Sequence, residues 1–188
     1  NFFDTLVTRG KYQHKPPLPF SPAGEIAGVV EALGREGPGS EAPGVRVGDR
    51  VQAYIGWGGA REKVVVRAAD LVPIPDDVVA SGVSITYGTA IHGLAERGRL
   101  QGGETLAVLG ASGGAGLAAV EIGKLMGARV IAAGTSMEKL AVCRARGADD
   151  LLDLGRGDLK EALRALTGGR GVDVVYDCIG GPYAEPAI

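Results

Sequence analysis

A β-rich module followed by a doubly wound parallel α/β sheet is the fold class this sequence predicts. Two observations separate the halves. Residues 1–78 hold short Val-containing runs cut by turn residues, whereas residues 79–188 alternate strand-length apolar runs with helix-length segments. A third observation is a Gly-rich turn that joins one such run directly to the helix after it. The 188 residues suffice for one or two compact domains with a real core.

In the first half the pattern predicts strands over 25–33, 49–55 and 62–66. Gly34, Gly37, Pro38, Gly39, Pro43, Gly44 and Gly48 break the chain between the first two, so this half reads as all-β with tight turns. Pro16, Pro17 and Pro19 mark a loop. In the second half Asp76 or Asp77 is placed to cap a helix, and 81–97 carries a helical pattern. Strands are then predicted over 106–109, 129–133, 151–154 and 172–177. Helices over 115–126, 136–146 and 158–166 alternate with them. Ser136 and Asp158 open the second and third of these helices, while Gly127, Gly147 and Gly168 close all three, as the unpaired backbone groups at helix ends require.

Composition removes several functions. Twenty basic against 22 acidic side chains give a net charge of −2, which argues against nucleic acid or an anionic membrane surface as partner. No apolar run approaches the ~18 residues of a membrane-spanning helix. The two thiols, Cys143 and Cys178, are too few for a disulfide framework or a four-ligand zinc site. A reducing, cytoplasmic compartment is therefore expected. The chain starts at Asn1 rather than Met and stops soon after an apparent strand, which suggests a fragment.

The turn reads Gly110-Ala111-Ser112-Gly113-Gly114-Ala115-Gly116. Matched to Gly-x-Gly-x-x-Gly, it sets Ala111 in the first place, Gly113 in the second and Gly116 in the third. Gly113 lets backbone approach a pyrophosphate, Gly116 allows close helix–strand packing, and the helix start offers free N–H groups to the anion. An ordinary strand–helix turn also carries glycines. The strand before, the helix after and a second strand ~20 residues on supply the context of a dinucleotide site, with Ser112, Gly113, Gly114 and Ala115 as its phosphate loop.

The end of the second strand chooses the cofactor. An acidic side chain there accepts from the ribose 2′-hydroxyl of NAD, whereas NADP needs donors and a cation. The sequence gives Gly134, Thr135, Ser136 and, one turn into the helix, Lys139, with no acid at the strand tip. This favours NADPH; the alternative for Lys139 is a solvated surface lysine.

Taken together, Asn1-Phe2-Phe3-Asp4, Gly10-Lys11-Tyr12, Gly24-Glu25-Ile26-Ala27-Gly28, Val47-Gly48-Asp49-Arg50-Val51, Thr86-Tyr87-Gly88-Thr89-Ala90, the 110–116 turn and Asp177-Cys178-Ile179-Gly180-Gly181 resemble the zinc-independent quinone oxidoreductases. These form the zeta-crystallin-like branch of the medium-chain dehydrogenase/reductase superfamily. The resemblance covers nearly the whole chain. It implies a partial GroES-like catalytic domain over 1–78 and the first half of a Rossmann NADPH-binding domain over 79–188. In Rossmann order 3-2-1-4-5-6 the chain would hold strands 3-2-1-4 and leave strand 4 at an edge. Zinc-dependent relatives carry His where this chain has Gly24, so no metal site is expected.

The same resemblance implies hydride transfer from NADPH to a quinone. Tyr12 would donate to the acceptor oxygen, with Asn1 and Asp4 near the nicotinamide; Tyr12 is equally compatible with a buried ring and a wet hydroxyl. Thr89, Cys178 and the turn after it would line the cofactor, although Thr89 can also bond back to its own helix and Cys178 can be a small buried hydrophobe. Leu154 stands where relatives often carry a Tyr near the 2′-phosphate. His14 and His92 read as structural, Arg144 and Arg146 as a solvated helix face. A homodimer of the full-length protein is implied, and the segment alone is expected to be inactive. Two other functions fit the same residues: a reductase of enals, enones or enoyl thioesters, and a non-catalytic NADPH-binding module.

Overall fold

A computed structural model describes residues 1–34, 44–75 and 80–188. The chain divides into two compact units, Asn1–Ile85 and Thr86–Ile188. The expected cap at Asp76 or Asp77 and the turn residues Gly37, Pro38, Gly39 and Pro43 lie outside the described residues.

The first unit opens on a helix, α1 (Phe2–Thr8), where the Val-rich texture had suggested only strands. Asn1 is its N-cap and Asp4 its third residue. The two form a capping box in which the Asn1 nitrogen donates to Asp4 Oδ2 at 2.9 Å. The helix ends because Gly10 takes φ +65°. Its N–H then reaches the Val7 carbonyl at 3.0 Å, and the Lys11 N–H reaches that of Leu6 at 2.9 Å. Leu6 and Val7 turn inward, with Val7 buried.

β1 (Glu25–Val29) and β2 (Arg50–Tyr54) pair antiparallel with Ala27 opposite Gln52, and β3 (Val72–Pro73) joins the other edge of β2. Val51 and Ala53 alternate into the core. The predicted strand over 25–33 stops at Val29. The one over 62–66 does not form, because no strand among the described residues pairs with it, and Val65 lies fully in solvent.

α2 (Val83–Ile91) continues as a wider π-helical turn over His92–Arg97. Beyond it lies a four-stranded parallel sheet of β4 (Thr105–Leu109), β5 (Arg129–Gly134), β6 (Asp150–Asp153) and β7 (Val174–Asp177) in the order β6-β5-β4-β7. This is the predicted 3-2-1-4 order, with β7 at the edge. The helices α3 (Gly114–Leu125), α4 (Met137–Ala145) and α5 (Leu159–Leu166) alternate with the strands.

β4 and β5 bury both faces, which explains why they read as continuous apolar runs rather than alternating ones. Leu106, Val108, Val130 and Ala132 meet Ala118, Ala119, Leu140 and Cys143 in one cluster. Ala107, Leu109, Ile131 and Ala133 meet Leu152, Leu159 and Leu163 in the other. A period of two along each strand sends successive residues to opposite layers. Ser136 and Asp158 cap α4 and α5, accepting from the N–H groups of Lys139 at 3.3 Å and Glu161 at 3.0 Å.

Candidate functional site

Parallel strands end together, so the turns after β4, β5 and β7 gather at one edge of the sheet. The turn after β4 is held beside β5 by two hydrogen bonds to the Ala133 carbonyl, from Gly110 at 2.9 Å and Ala111 at 3.1 Å. Gly110, rather than Ala111, makes the tight turn. Its φ is +74°, and its carbonyl accepts from Gly113 at 3.0 Å, while Ala111 is buried in the core. The turn therefore needs a glycine one residue ahead of the place that Ala111 takes in the spacing pattern.

Gly116 is required by close approach. A Cβ there would lie 2.3 Å from the Gly110 carbonyl oxygen and 2.7 Å from the Ala111 Cα, so α3 packs against its own turn only without a side chain. Gly113, the N-cap of α3, Ser112 and Gly114 are exposed, and Ala115 is half-buried. The first N–H groups of α3, from Gly114, Ala115 and Gly116, have no acceptor within the helix, and such groups at a helix start can bind an anion.

β5 ends in the buried Gly134, paired with Asp153 of β6, and the Leu154 N–H closes on the Gly134 carbonyl at 2.9 Å. Thr135 is exposed beyond it. Ser136 spends an oxygen lone pair on capping α4 and keeps its O–H to donate, and Lys139 is exposed in the first turn. Leu154 is buried in the α5-side cluster, so it offers a cofactor nothing. Two residues farther on, the exposed Arg156 places its Nε 3.1 Å from Asp153 Oδ2.

After β7, Asp177 Oδ1 accepts from the N–H groups of Ile179 at 2.8 Å and Gly180 at 2.9 Å, which folds the turn back toward Gly110. Cys178 sits there as an exposed free thiol, not a buried hydrophobe. Desolvation and then the adjacent Asp177 carboxylate push that thiol up, so it stays protonated near neutral pH. Thr89 is exposed on α2. On the same helix Tyr87 donates to Glu121 Oε2, which raises the phenol, and Arg146 Nη1 holds Glu121 Oε1 at 2.7 Å. Arg146 therefore has a structural partner, where the sequence suggested only a solvated face.

In the first unit Tyr12, Asp4 and Asn1 gather around Phe3 and Gly24. The rings of Phe3 and Tyr12 are 5.5 Å apart. Asp4 Oδ1 accepts the Gly24 N–H at 3.0 Å, so both carboxylate oxygens are engaged. Glu25, the residue after Gly24, is buried and accepts from Asn1 Nδ2 and from the Ile85 N–H. A Cβ on Gly24 would stand 2.5 Å from the Phe3 ring and 2.9 Å from the Gly56 carbonyl oxygen, so this backbone leaves no room for a ligand side chain there. Among the described residues no group of three or more His, Cys, Asp or Glu is placed to hold a metal ion. No described helix is long and apolar enough to cross a membrane.

Comparison with known proteins follows the same division. The family described as alcohol dehydrogenase GroES-like domain matches residues 1–76, and the family described as zinc-binding dehydrogenase matches residues 114–188. Quinone oxidoreductase-like protein 2 of Rattus norvegicus is 40% identical over 185 residues, which are 96% of this chain and 51% of the relative. The chain spans about half the length of the curated relatives it matches first. Among solved structures, the quinone oxidoreductase of Thermus thermophilus, also solved with NADPH, superposes with a TM-score of 0.81 at 31% identity, over 98% of this chain and 56% of that one. The CurK enoyl reductase superposes with a TM-score of 0.85 at 26% identity, over 100% and 58%.

Proposed function

We propose that the chain belongs to the zinc-independent quinone oxidoreductase branch of the medium-chain dehydrogenase/reductase superfamily and forms part of an NADPH:quinone oxidoreductase. The likeness to quinone oxidoreductases supports an oxidoreductase that uses a nicotinamide cofactor. The preference for NADPH is carried by the pairing of the Gly110–Gly116 turn with an acid-free β5 tip followed by Ser136 and Lys139.

When bound, the nicotinamide supplies the hydride. The residues of this chain hold and orient. The N–H groups of Gly114 and Ala115, with Ser112 beside them, would hold the pyrophosphate, and Thr135, the Ser136 hydroxyl and the Lys139 ammonium would hold the 2′-phosphate. Thr89 and the Cys178 turn would hold the nicotinamide side. Tyr12 donates a hydrogen bond to the acceptor oxygen as charge develops there, Asn1 orients the reacting partners through its amide, and Asp4 holds the backbone of both Asn1 and Gly24 in place. A cytoplasmic homodimer acting on a small conjugated carbonyl completes the proposal.

Titration of NADPH and NADH into the full-length protein tests the cofactor. NADPH is expected to bind more tightly, and Lys139→Ala to weaken NADPH by about tenfold, or ~1.4 kcal/mol, without changing NADH. Equal affinities unmoved by the substitution would reject it. Catalysis is expected to survive a metal chelator; loss of activity restored by added zinc would reject the metal-free site. The second reading, reduction of an activated double bond, is favoured by the likeness to an enoyl reductase. Steady-state rates with a quinone and an enoyl thioester, measured side by side, decide between them, and turnover of neither would leave a binding module.

A further inference from the structure

We infer that Glu25 is the positioning residue for the Asn1 amide: its buried carboxylate, anchored on the start of α2, holds the NH2 end of that amide in place. The inference rests on the reading of Asn1 as an active-site group. Glu25 is 7% exposed, and with Thr105 it makes up the buried polar side chains among the described residues. A carboxylate is rarely buried without partners for its oxygens. Oε1 accepts the N–H of Ile85 at 2.6 Å, and Oε2 accepts from Asn1 Nδ2.

The first of these bonds fixes the carboxylate. Ile85 is the third residue of α2, so its N–H has no acceptor inside the helix. A negative charge at that end is also favoured by the helix dipole. Glu25 thus closes α2 from a strand 60 residues away in sequence.

The second bond acts on Asn1. Its backbone is already set as the N-cap of α1, and its side chain is only 12% exposed. The capping box turns the amide oxygen toward the Asp4 N–H, which leaves the NH2 end to be held. A carboxylate only accepts, so it must face the NH2 group; the reverse orientation would set two acceptors against each other. One amide hydrogen is spent on Glu25 and the oxygen faces the Asp4 N–H, so the group presents its remaining N–H in one defined orientation. A side chain needed solely to close α2 would require one acceptor; the second, negatively charged oxygen has its use in Asn1.

The test is a double-mutant cycle in the full-length protein with Glu25→Gln, Asn1→Ala and both together, measuring kcat and KM for NADPH oxidation by a quinone. Hydrogen exchange of the Asn1 side-chain amide by NMR is read alongside. Glu25→Gln should abolish the slow exchange of that amide and lower kcat about tenfold, the equivalent of ~1.4 kcal/mol in the barrier, with KM for NADPH unchanged. In the Asn1→Ala background it should lower kcat no further. An equal loss in both backgrounds, or an Asn1 amide unchanged by Glu25→Gln, overturns the inference. A strong Asn1→Ala effect beside a silent Glu25→Gln overturns it alone. A silent Asn1→Ala overturns the assignment of Asn1 as well. If Glu25→Gln melts too early to assay, the pair Asn1→Asp with Glu25→Gln restores the contact with reversed polarity. It should recover the melting temperature but not kcat, and recovery of both overturns the inference.

Discussion

Asp149 shows how one carboxylate ties helix to sheet in the second unit. Lys124 Nζ reaches its Oδ1 and Oδ2 at 3.0 and 2.8 Å from the end of α3, and the Val130 N–H reaches Oδ2 at 2.7 Å from β5. Burial pushes the Asp149 carboxyl up. The hydrogen bonds from Lys124 and Val130 and the attraction of Lys124 and Arg129 outweigh it, so the group titrates below the usual carboxylate range. A pKa lower in the folded than in the unfolded chain gives stability that is present above the unfolded value, about 3.9 for Asp, and lost as pH falls through the folded one. Asp149→Asn is therefore expected to lower the melting temperature at pH 7, and the gap to wild type should close as the pH falls below about 4. A gap of constant size down to the acid limit would show that Asp149 contributes by shape rather than charge.

The turn between β4 and α3 is the element on which both the fold and the site depend. Gly116→Ala would drive a Cβ into the backbone of Gly110 and Ala111. It should cost about 1–3 kcal/mol of stability, as overpacking does, and weaken NADPH binding with it. At Gly114 the nearest atom to a new Cβ is Thr86 Cγ2 at 3.8 Å, so Gly114→Ala is expected to leave the cofactor-free melting temperature within about 0.5 kcal/mol of wild type. Thermal melts of both variants without cofactor check the contrast; equal destabilisation would place the constraint outside the turn. The α/β half was legible in the sequence because its devices are local. Caps at Ser136 and Asp158, closing glycines at 127, 147 and 168, and two-sided apolar strands all act within a few residues. What was missed is of two kinds. α1 carried a readable signal, the Asn1/Asp4 capping box, hidden by a Val-rich neighbourhood. The partner that 62–66 lacks and the Glu25 links to Asn1 and Ile85 depend on residues far away in sequence, and no pattern along the chain encodes them.

Among the described residues the two cores are unequal, and an order of unfolding is expected from that. Among the described residues, the buried apolar side chains of the first unit are Val7, Val45, Val51, Ala53 and Ala80. The second unit packs two clusters on opposite faces of its sheet, with Leu94, Leu106, Leu109, Ile131 and Leu140 fully buried. At roughly 1.5–3 kcal/mol for each fully buried aliphatic side chain, the second unit has much the larger driving force. Amides of Leu106–Leu109 and Val130–Ala133 are therefore expected to exchange last, with those of β1 and β2 exchanging earlier through local opening. Heating should give two transitions, the first in Asn1–Ile85. NADPH should move only the second, by about 2.7 kcal/mol when the cofactor is at 100 times its Kd, because a ligand stabilises the unit that holds it. Calorimetry with and without NADPH, read beside residue-resolved hydrogen exchange, measures both effects. One transition that shifts as a whole with cofactor would mean that the two units unfold as a single body and that the smaller core is stabilised by something other than its own buried side chains.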